Sequence, residues 1–304
     1  MRESLSLQYP VDPSSGQVRR PQWQRFGPLW TVFPASLWLV AFIAVPLGLV
    51  VVVSFFVRGT YGGIEYVFSL DNYVRLFDPL YVRILFVSLA IAFATTLITA
   101  WIGYPFAYIV ARAPARWRSV LLMLIIVPFW TNSLIRTYAM IVLLRTEGVI
   151  NTVLMNLGVI SHPLPMMYNE FAVMVGMVYE FLPFMILPLF ASIEKFDWTL
   201  LEAAGDLGAR PWKAFLHVTL PLTFPGVIAG SLLVFIPSLG FFFIPDLLGG
   251  SKVMLISNLI KNQFLSARDW PFGAALSIGL IVITLILLGV YFRLLGNKRD
   301  LEVF

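Results

Sequence analysis

The sequence has no cysteine and only two histidines among 304 residues. Without cysteine there can be no disulfide, no thiolate metal site and no cysteine nucleophile. His162 and His217 lie far apart in the chain, which argues against a histidine-rich metal site. Charge is scarce as well. Asp, Glu, Lys and Arg make up 12% of the chain, against roughly 25% in a soluble globular protein. With 59% of residues hydrophobic, too little polar side chain is left to cover a water-exposed surface. A cytosolic enzyme, a disordered regulator and a coiled coil are thereby excluded, and lipid becomes the solvent for most of the surface. There is no Gly-x-x-x-x-Gly-Lys phosphate loop, no recognisable soluble domain and no clear internal repeat. The net charge of +5 would suit nucleic acid in a soluble chain. In a membrane chain it belongs to basic cytoplasmic loops, so no nucleic-acid partner is expected.

What is present is a series of long apolar runs. A helix crossing the hydrocarbon needs about 20 mostly apolar residues. Six stretches qualify: 29–57, 84–111, 120–144, 171–193, 225 to about 248, and 272–291. The third carries Arg136, the fourth Glu180, and the fifth Asp246 near its end. The first run is too long for the core of a cleaved signal and follows a long polar head, so it reads as an uncleaved membrane helix. The expected fold class is an all-α membrane protein with six transmembrane helices, residues 29–296 forming one domain. Residues 1–28, with Pro10, Pro13, Ser14, Ser15, Gly16 and Pro21, read as a disordered cytoplasmic tail, and 297–304 as a short second tail.

Basic residues set the orientation. With both termini inside, the cytoplasmic segments hold 13 Lys and Arg: Arg2, Arg19, Arg20, Arg25, Arg112, Arg116, Arg118, Lys195, Arg210, Lys213, Arg293, Lys298 and Arg299. The outer loops hold 7: Arg58, Arg75, Arg83, Arg145, Lys252, Lys261 and Arg268. The bias places both termini in the cytoplasm.

One loop differs from the others. Residues 197–221 run Asp-Trp-Thr-Leu-Leu-Glu-Ala-Ala-Gly-Asp-Leu-Gly-Ala-Arg-Pro-Trp-Lys-Ala-Phe-Leu-His-Val-Thr-Leu-Pro. Thr199 and Glu202 have capping-box spacing, which predicts a helix start. Leu200, Ala203, Ala204 and Leu207 share one face at helical spacing. Gly208 stops that helix, because glycine accepts the left-handed backbone. Pro211 opens a second helix and Leu220-Pro221 ends it. Two short helices joined by a sharp bend can serve as a docking knob. Small residues at Ala203, Ala204 and Gly205 allow close approach, and Glu202 and Asp206 offer charge. An ordinary interfacial helix pair linking two spans would read the same way.

The spacing nevertheless resembles a known pattern. Glu202-Ala203-Ala204, three residues, Gly208, nine residues, then Val218-x-Leu220-Pro221 is similar to the Glu-Ala-Ala loop of ABC importer permeases. Val218 in place of Ile is the one departure. The resemblance implies the type I permease fold, with this loop as a coupling helix seated in a groove of an ATPase subunit. Val127-Pro-Phe-Trp-Thr-Asn-Ser-Leu-Ile-Arg136, Leu182-Pro-Phe-Met185, Asp246-Leu-Leu-Gly-Gly250 and Arg268-Asp-Trp-Pro-Phe-Gly-Ala274 look like the B-type permeases of bacterial spermidine/putrescine importers. That likeness covers roughly residues 70–290. It implies a second homologous permease, two cytoplasmic ATPase subunits and a periplasmic polyamine-binding protein as partners, in a bacterial inner membrane. ATP hydrolysis would reside in the partner subunit. Six spans are few for a private substrate path, which agrees with a path shared between two permeases.

Polar groups at membrane depth are costly and usually face protein or water. A polyamine path needs carboxylates for its ammonium groups and aromatic faces for its stem. Asp246, Glu180, Tyr179, Trp130 and Phe242, within the Phe241-Phe242-Phe243 run, supply these types. Each has a plainer reading. Glu180 can pair with Arg136, Asp246 can end a helix, and the aromatics can face lipid or core. Asp269-Trp270-Pro271 reads as a helix start, or as a contact for the binding protein or an outer gate. Pro34, Pro46, Pro105, Pro128, Pro183, Pro188, Pro237 and Pro245 kink the spans, which suits a rocking bundle but also a static one. Competing functions are a permease for another solute, a stand-alone channel or secondary transporter, and a membrane enzyme. An anion path would be lined by bases or helix N-termini. A channel has no use for a coupling loop. No catalytic constellation, metal-ligand spacing or cofactor motif supports an enzyme.

Overall fold

A computed structural model describes residues 23–295. Residues 1–22 and 296–304, which hold most of both expected tails, lie outside the described residues. Helix α1 (Trp23–Ser54) begins ahead of the expected start at 29. A two-stranded antiparallel hairpin follows, β1 (Val57–Arg58) with β2 (Ile64–Glu65), in the register Val57 opposite Glu65. Then come α2 (Asp71–Arg75), α3 (Pro79–Arg112), α4 (Ala115–Trp130), α5 (Ser133–Leu144), α6 (Val149–Asn156) and α7 (Glu170–Glu194). The loop region holds α8 (Thr199–Asp206) and α9 (Pro211–Ala214). Helix α10 (Leu220–Gly240), α11 (Ile256–Leu265) and α12 (Trp270–Leu295) complete the described chain.

Among the described residues, six helical stretches are long and apolar enough to cross a membrane: Ser36–Ser54, Pro79–Arg112, Ser133–Asn156, Glu170–Glu194, Pro211–Gly240 and Trp270–Arg293. The fold class is thus all-α with six spans. Two spans, the third and the fifth, differ most from the sequence expectation in their bounds. Residues 120–144 are not one helix. Thr131 is extended (φ −74°, ψ 147°), and the Asn132 side chain accepts the Leu134 N–H at 2.8 Å, opening α5 as a new helix. Pro128, with no N–H to donate, weakens the turn just before the break. The fifth span starts earlier and stops earlier than expected. It ends at Gly240, where Phe241 turns extended, and Asp246 lies beyond it in a separate π-helical turn, Pro245–Gly249.

Helix α7 lies at the centre, packed against α3 and α10. Ala172, Val173, Gly176, Met177, Phe181, Met185, Ile186, Leu189 and Ile193 recur at helical spacing and are buried. In lipid, apolar side chains gain little from burial against one another, so close packing of small residues must hold the helices. Two α10 glycines meet α7 directly. A Cβ on Gly226 would lie 2.5 Å from the Ser192 Cβ, and one on Gly230 2.7 Å from the Met185 sulfur. Helix α3 presents Ser88, Ala92, Thr95, Thr96, Thr99, Gly103 and Ala107 along its buried seam. The Ser88, Thr96 and Thr99 hydroxyls bond back to their own helix, as Thr99 does to the Thr95 carbonyl at 2.8 Å, and the Thr95 hydroxyl donates to the Met174 sulfur of α7 at 3.5 Å, so each has a partner. Phe33, Trp38, Phe42 and Ile43 of α1 are exposed, as lipid-facing side chains should be, and α1 packs on α12.

Candidate functional site: a coupling loop and a paired polar path

The first component is the loop after α7. Helix α8 ends in a paired set of bonds: the Gly208 N–H to the Gly205 carbonyl at 2.8 Å, and the Ala209 N–H to the Ala204 carbonyl at 3.0 Å. This is the Schellman arrangement, which needs a left-handed residue, and Gly208 has φ +82°. The N-terminal cap differs from the expected box. Thr199 does not cap α8; Asp197 accepts both the Thr199 hydroxyl (2.8 Å) and its N–H (3.0 Å). Those donors, the hydroxyl first, hold the Asp197 carboxyl below its usual value. Asp wins because its carboxylate is a stronger acceptor than the Thr hydroxyl.

Leu220-Pro221 does not end the second helix. The chain runs from α9 through a π-helical stretch, Phe215–Thr219, straight into α10. Pro221 cannot donate to the carbonyl four residues back, and the wider π turn just ahead of it accommodates that loss. The loop is therefore rigidly continuous with a membrane helix on one side and bent at Gly208 on the other. An aromatic collar fixes it to α3. The Tyr104 and Phe215 rings are 5.5 Å apart, the Tyr108 and Trp198 rings 5.6 Å, and the Arg112 guanidinium lies 5.1 Å over Trp198. Arg118 pairs with Glu194 at 2.7 Å, tying the first turn of α4 to the end of α7. Against this anchored side, α8 has no buried residue. Glu202, Ala203, Asp206 and Gly208 are exposed, Ala204 is partly covered, and Leu207 is 89% exposed. Leu207 and Trp212, which stacks one side of its ring on Phe215 at 5.8 Å, give the bend an exposed apolar face.

The second component is the set of polar groups within and beside the bundle. Glu180 and Arg136 form a buried pair, Oε1 to Nη2 at 2.8 Å, with side chains 7% and 8% exposed. The pair joins α7 to α5. The Phe129 ring lies 5.4 Å from the Arg136 guanidinium, whose Nε has no hydrogen-bond partner among the described residues. Tyr179, Gly176, Ile244 and Leu248 surround the pair, so Glu180 abuts the π turn that carries Asp246. Gly176 permits this contact: a Cβ there would lie 2.5 Å from a Leu248 methyl.

Asp246 is half-buried and engaged. One carboxylate oxygen pairs with the Lys261 ammonium and the other accepts from the Asn258 amide. Lys261 also lies 5.8 Å over the Phe242 ring. The structure thus brings Asp246 and Phe242 to one point, and Glu180 and Tyr179 to another. Trp130 is 79% exposed at the end of α4 and joins neither group directly. Lys261 and Asn258 were not expected as partners. Their signal was present, since they sit one helical turn apart on α11, but nothing in the sequence fixes that turn opposite Asp246. Asp269 does start α12, its Oδ1 accepting the Phe272 N–H at 3.2 Å, and it also pairs with Arg75 at 3.0 Å.

Residues 103–299 match the family described as binding-protein-dependent transport system inner membrane component. The chain belongs to that family. It is a multi-pass inner membrane protein and the permease part of an ABC importer. It is 50% identical over 268 residues to the spermidine/putrescine transport system permease protein PotB of Escherichia coli, covering 87% of this chain and 98% of the relative. The PotB protein of Haemophilus influenzae is 48% identical over 268 residues, with 87% and 94% covered. The inner membrane ABC transporter permease protein YdcU of Escherichia coli is 31% identical over 240 residues, with 74% and 76% covered. A solved bacterial ABC transporter involved in import of the acidic polysaccharide alginate shares the fold, with TM-score 0.72 at 17% identity, covering 92% of this chain and 99% of that one. The permease is thus a transporter subunit, and its loop at Gly208 lies within the family match.

Proposed function

We propose that this chain is the permease subunit of an ATP-driven importer that moves polyamines, spermidine and/or putrescine, from periplasm to cytoplasm. The observation that carries the reading is the 50% identity over 87% of the chain with a spermidine/putrescine permease. The site chemistry supports it: a carboxylate, an amide and an aromatic face converge at Asp246, Asn258 and Phe242, a combination suited to an alkylammonium. Tyr179 and Trp130 add aromatic surface further along the path. Glu180 serves in the path wall as the counter-charge of Arg136. Glu202, Ala203, Ala204, Gly208, Leu220 and Pro221 form the coupling element that docks on an ATPase subunit, where ATP is hydrolysed. The working assembly holds a second homologous permease, two ATPase subunits and a periplasmic polyamine-binding protein.

Initial uptake of labelled putrescine and spermidine by the assembled importer, normalised to complex, tests the reading. Wild type should take up both or one, and Asp246→Asn should lower uptake about tenfold, as expected for loss of a charge-assisted hydrogen bond. A wild-type complex that moves neither amine ends the polyamine reading.

Orientation follows from the distribution of basic residues, with both termini in the cytoplasm beside the coupling loop. Reporter fusions after Glu302 and within 197–221 should both give cytoplasmic signals. A periplasmic signal from either overturns the arrangement.

A further inference from the structure

The Asp246 carboxylate already holds an alkylammonium, and it comes from the chain itself. A lysine side chain is four methylenes ending in a primary ammonium. Putrescine, and one arm of spermidine, is the same four-methylene unit ending in the same group. Lys261 therefore places a tethered aminobutyl group on the Asp246 carboxylate and over the Phe242 ring.

The helix that carries Lys261 does not need it for anchorage. Helix α11 is held by the Ser257 hydroxyl donating to the Phe241 carbonyl at 3.0 Å, and by the Asn258 amide donating to the Phe242 carbonyl at 3.1 Å. The Ile256 N–H donates to the Ser88 hydroxyl at 2.8 Å, and Ile256 and Leu259 are buried. Lys261 sits past these anchors, with its side chain 26% exposed. A long, flexible, strongly hydrated side chain in that position can leave the carboxylate and turn to water at little cost. The pair is also partly solvated, which keeps it weak enough to exchange.

We infer that Lys261 is an internal competitor for the substrate site: its aminobutyl group fills the Asp246–Phe242 position when substrate is absent, and an arriving polyamine ammonium displaces it. This rests on the polyamine reading above. The tethered cation keeps the carboxylate from standing bare, so a single small cation gains little by entering. Its return helps the substrate leave, because the carboxylate exchanges one ammonium for another instead of losing one.

Butylamine, a single ammonium on a four-carbon chain, is the probe. Polyamine uptake by the complete importer is measured against rising butylamine in wild type, Lys261→Met, Lys261→Arg and the double variant Asp246→Asn/Lys261→Met, each normalised to assembled complex. Lys261→Met should be inhibited by roughly three- to tenfold less butylamine than wild type, the range for loss of one partly exposed ion pair. Lys261→Arg keeps the competing charge and should match wild type. The double variant should lose the added sensitivity. Equal sensitivity of Lys261→Met and wild type overturns the inference. So does added sensitivity that persists in the double variant, since it would not act through the carboxylate. A loss of assembled complex in Lys261→Met that the double variant restores makes the pair structural, which also overturns it. In all of these the wild type still transports polyamine. A wild type that transports none removes the functional reading, and the inference with it.

Discussion

Replacing Gly208 by valine should abolish uptake while leaving the chain inserted in the membrane at normal levels. The cause is backbone and not crowding. No atom lies within 4 Å of a Cβ placed on Gly208, so a side chain has room. The residue has φ +82°, however, and a β-branched side chain is a genuine outlier there. The strain is relieved by opening the bend. That breaks the Gly208 and Ala209 bonds back to Gly205 and Ala204, and swings α8 away from α9. Helix α8 has no buried residue of its own to hold it in place, whereas α9 runs directly into α10. A coupling element depends on fixed geometry between the docked helix and the membrane helix, so transmission should fail with the bundle intact. Gly208→Asn separates the explanations. Asparagine tolerates the left-handed region far better than valine, so it should retain most uptake. Normal uptake by Gly208→Val at normal subunit levels would count decisively against coupling through this loop.

The Gly208 bend was legible in the sequence because its cause is local. A glycine three residues ahead of a proline, after a run of helix formers, specifies a stop and a start within one short segment. The six spans were legible for a similar reason, since lipid demands long apolar runs. Local rules failed where two of them competed. Thr199 fits a capping box, but Asp197, two residues earlier, is the better acceptor and takes both the Thr199 N–H and its hydroxyl. Pro221 read as a helix end, but a π stretch ahead of it let the helix continue. Residues 120–144 carried enough apolar side chain for one span, yet Pro128 and Asn132 broke them into α4 and α5. The partners of the polar groups were the least legible. Lys261 meets Asp246 across 15 residues and Arg136 meets Glu180 across 44, and neither distance follows from a helical period. Only the packing of α7 against α5, and of α11 beside the π turn, determines them.

Glu180→Gln should sharply reduce the amount of assembled complex, and it should do so before any effect on the rate per complex. The carboxylate is 7% exposed and has a cation 2.8 Å away, so its charge is spent on Arg136. Removing it leaves a guanidinium buried among Met140, Gly176, Ile244 and Leu248 with no opposite charge. Breaking such a pair from one side costs about 3–5 kcal/mol, which is a large part of the stability of an ordinary domain. The Phe129 face beside the guanidinium offsets little of that, about 0.5–2 kcal/mol at most for a cation over a ring. Removing both charges is a different case, because no unpaired ion remains. Arg136→Met with Glu180→Gln should therefore recover most of the complex that Glu180→Gln loses. The amount of complex is read by co-purification of the subunits, and uptake of labelled polyamine is divided by that amount. A Glu180→Gln complex that assembles at wild-type levels but transports slowly would reverse the assignment. The carboxylate would then be released from Arg136 during transport and would itself contact the cation.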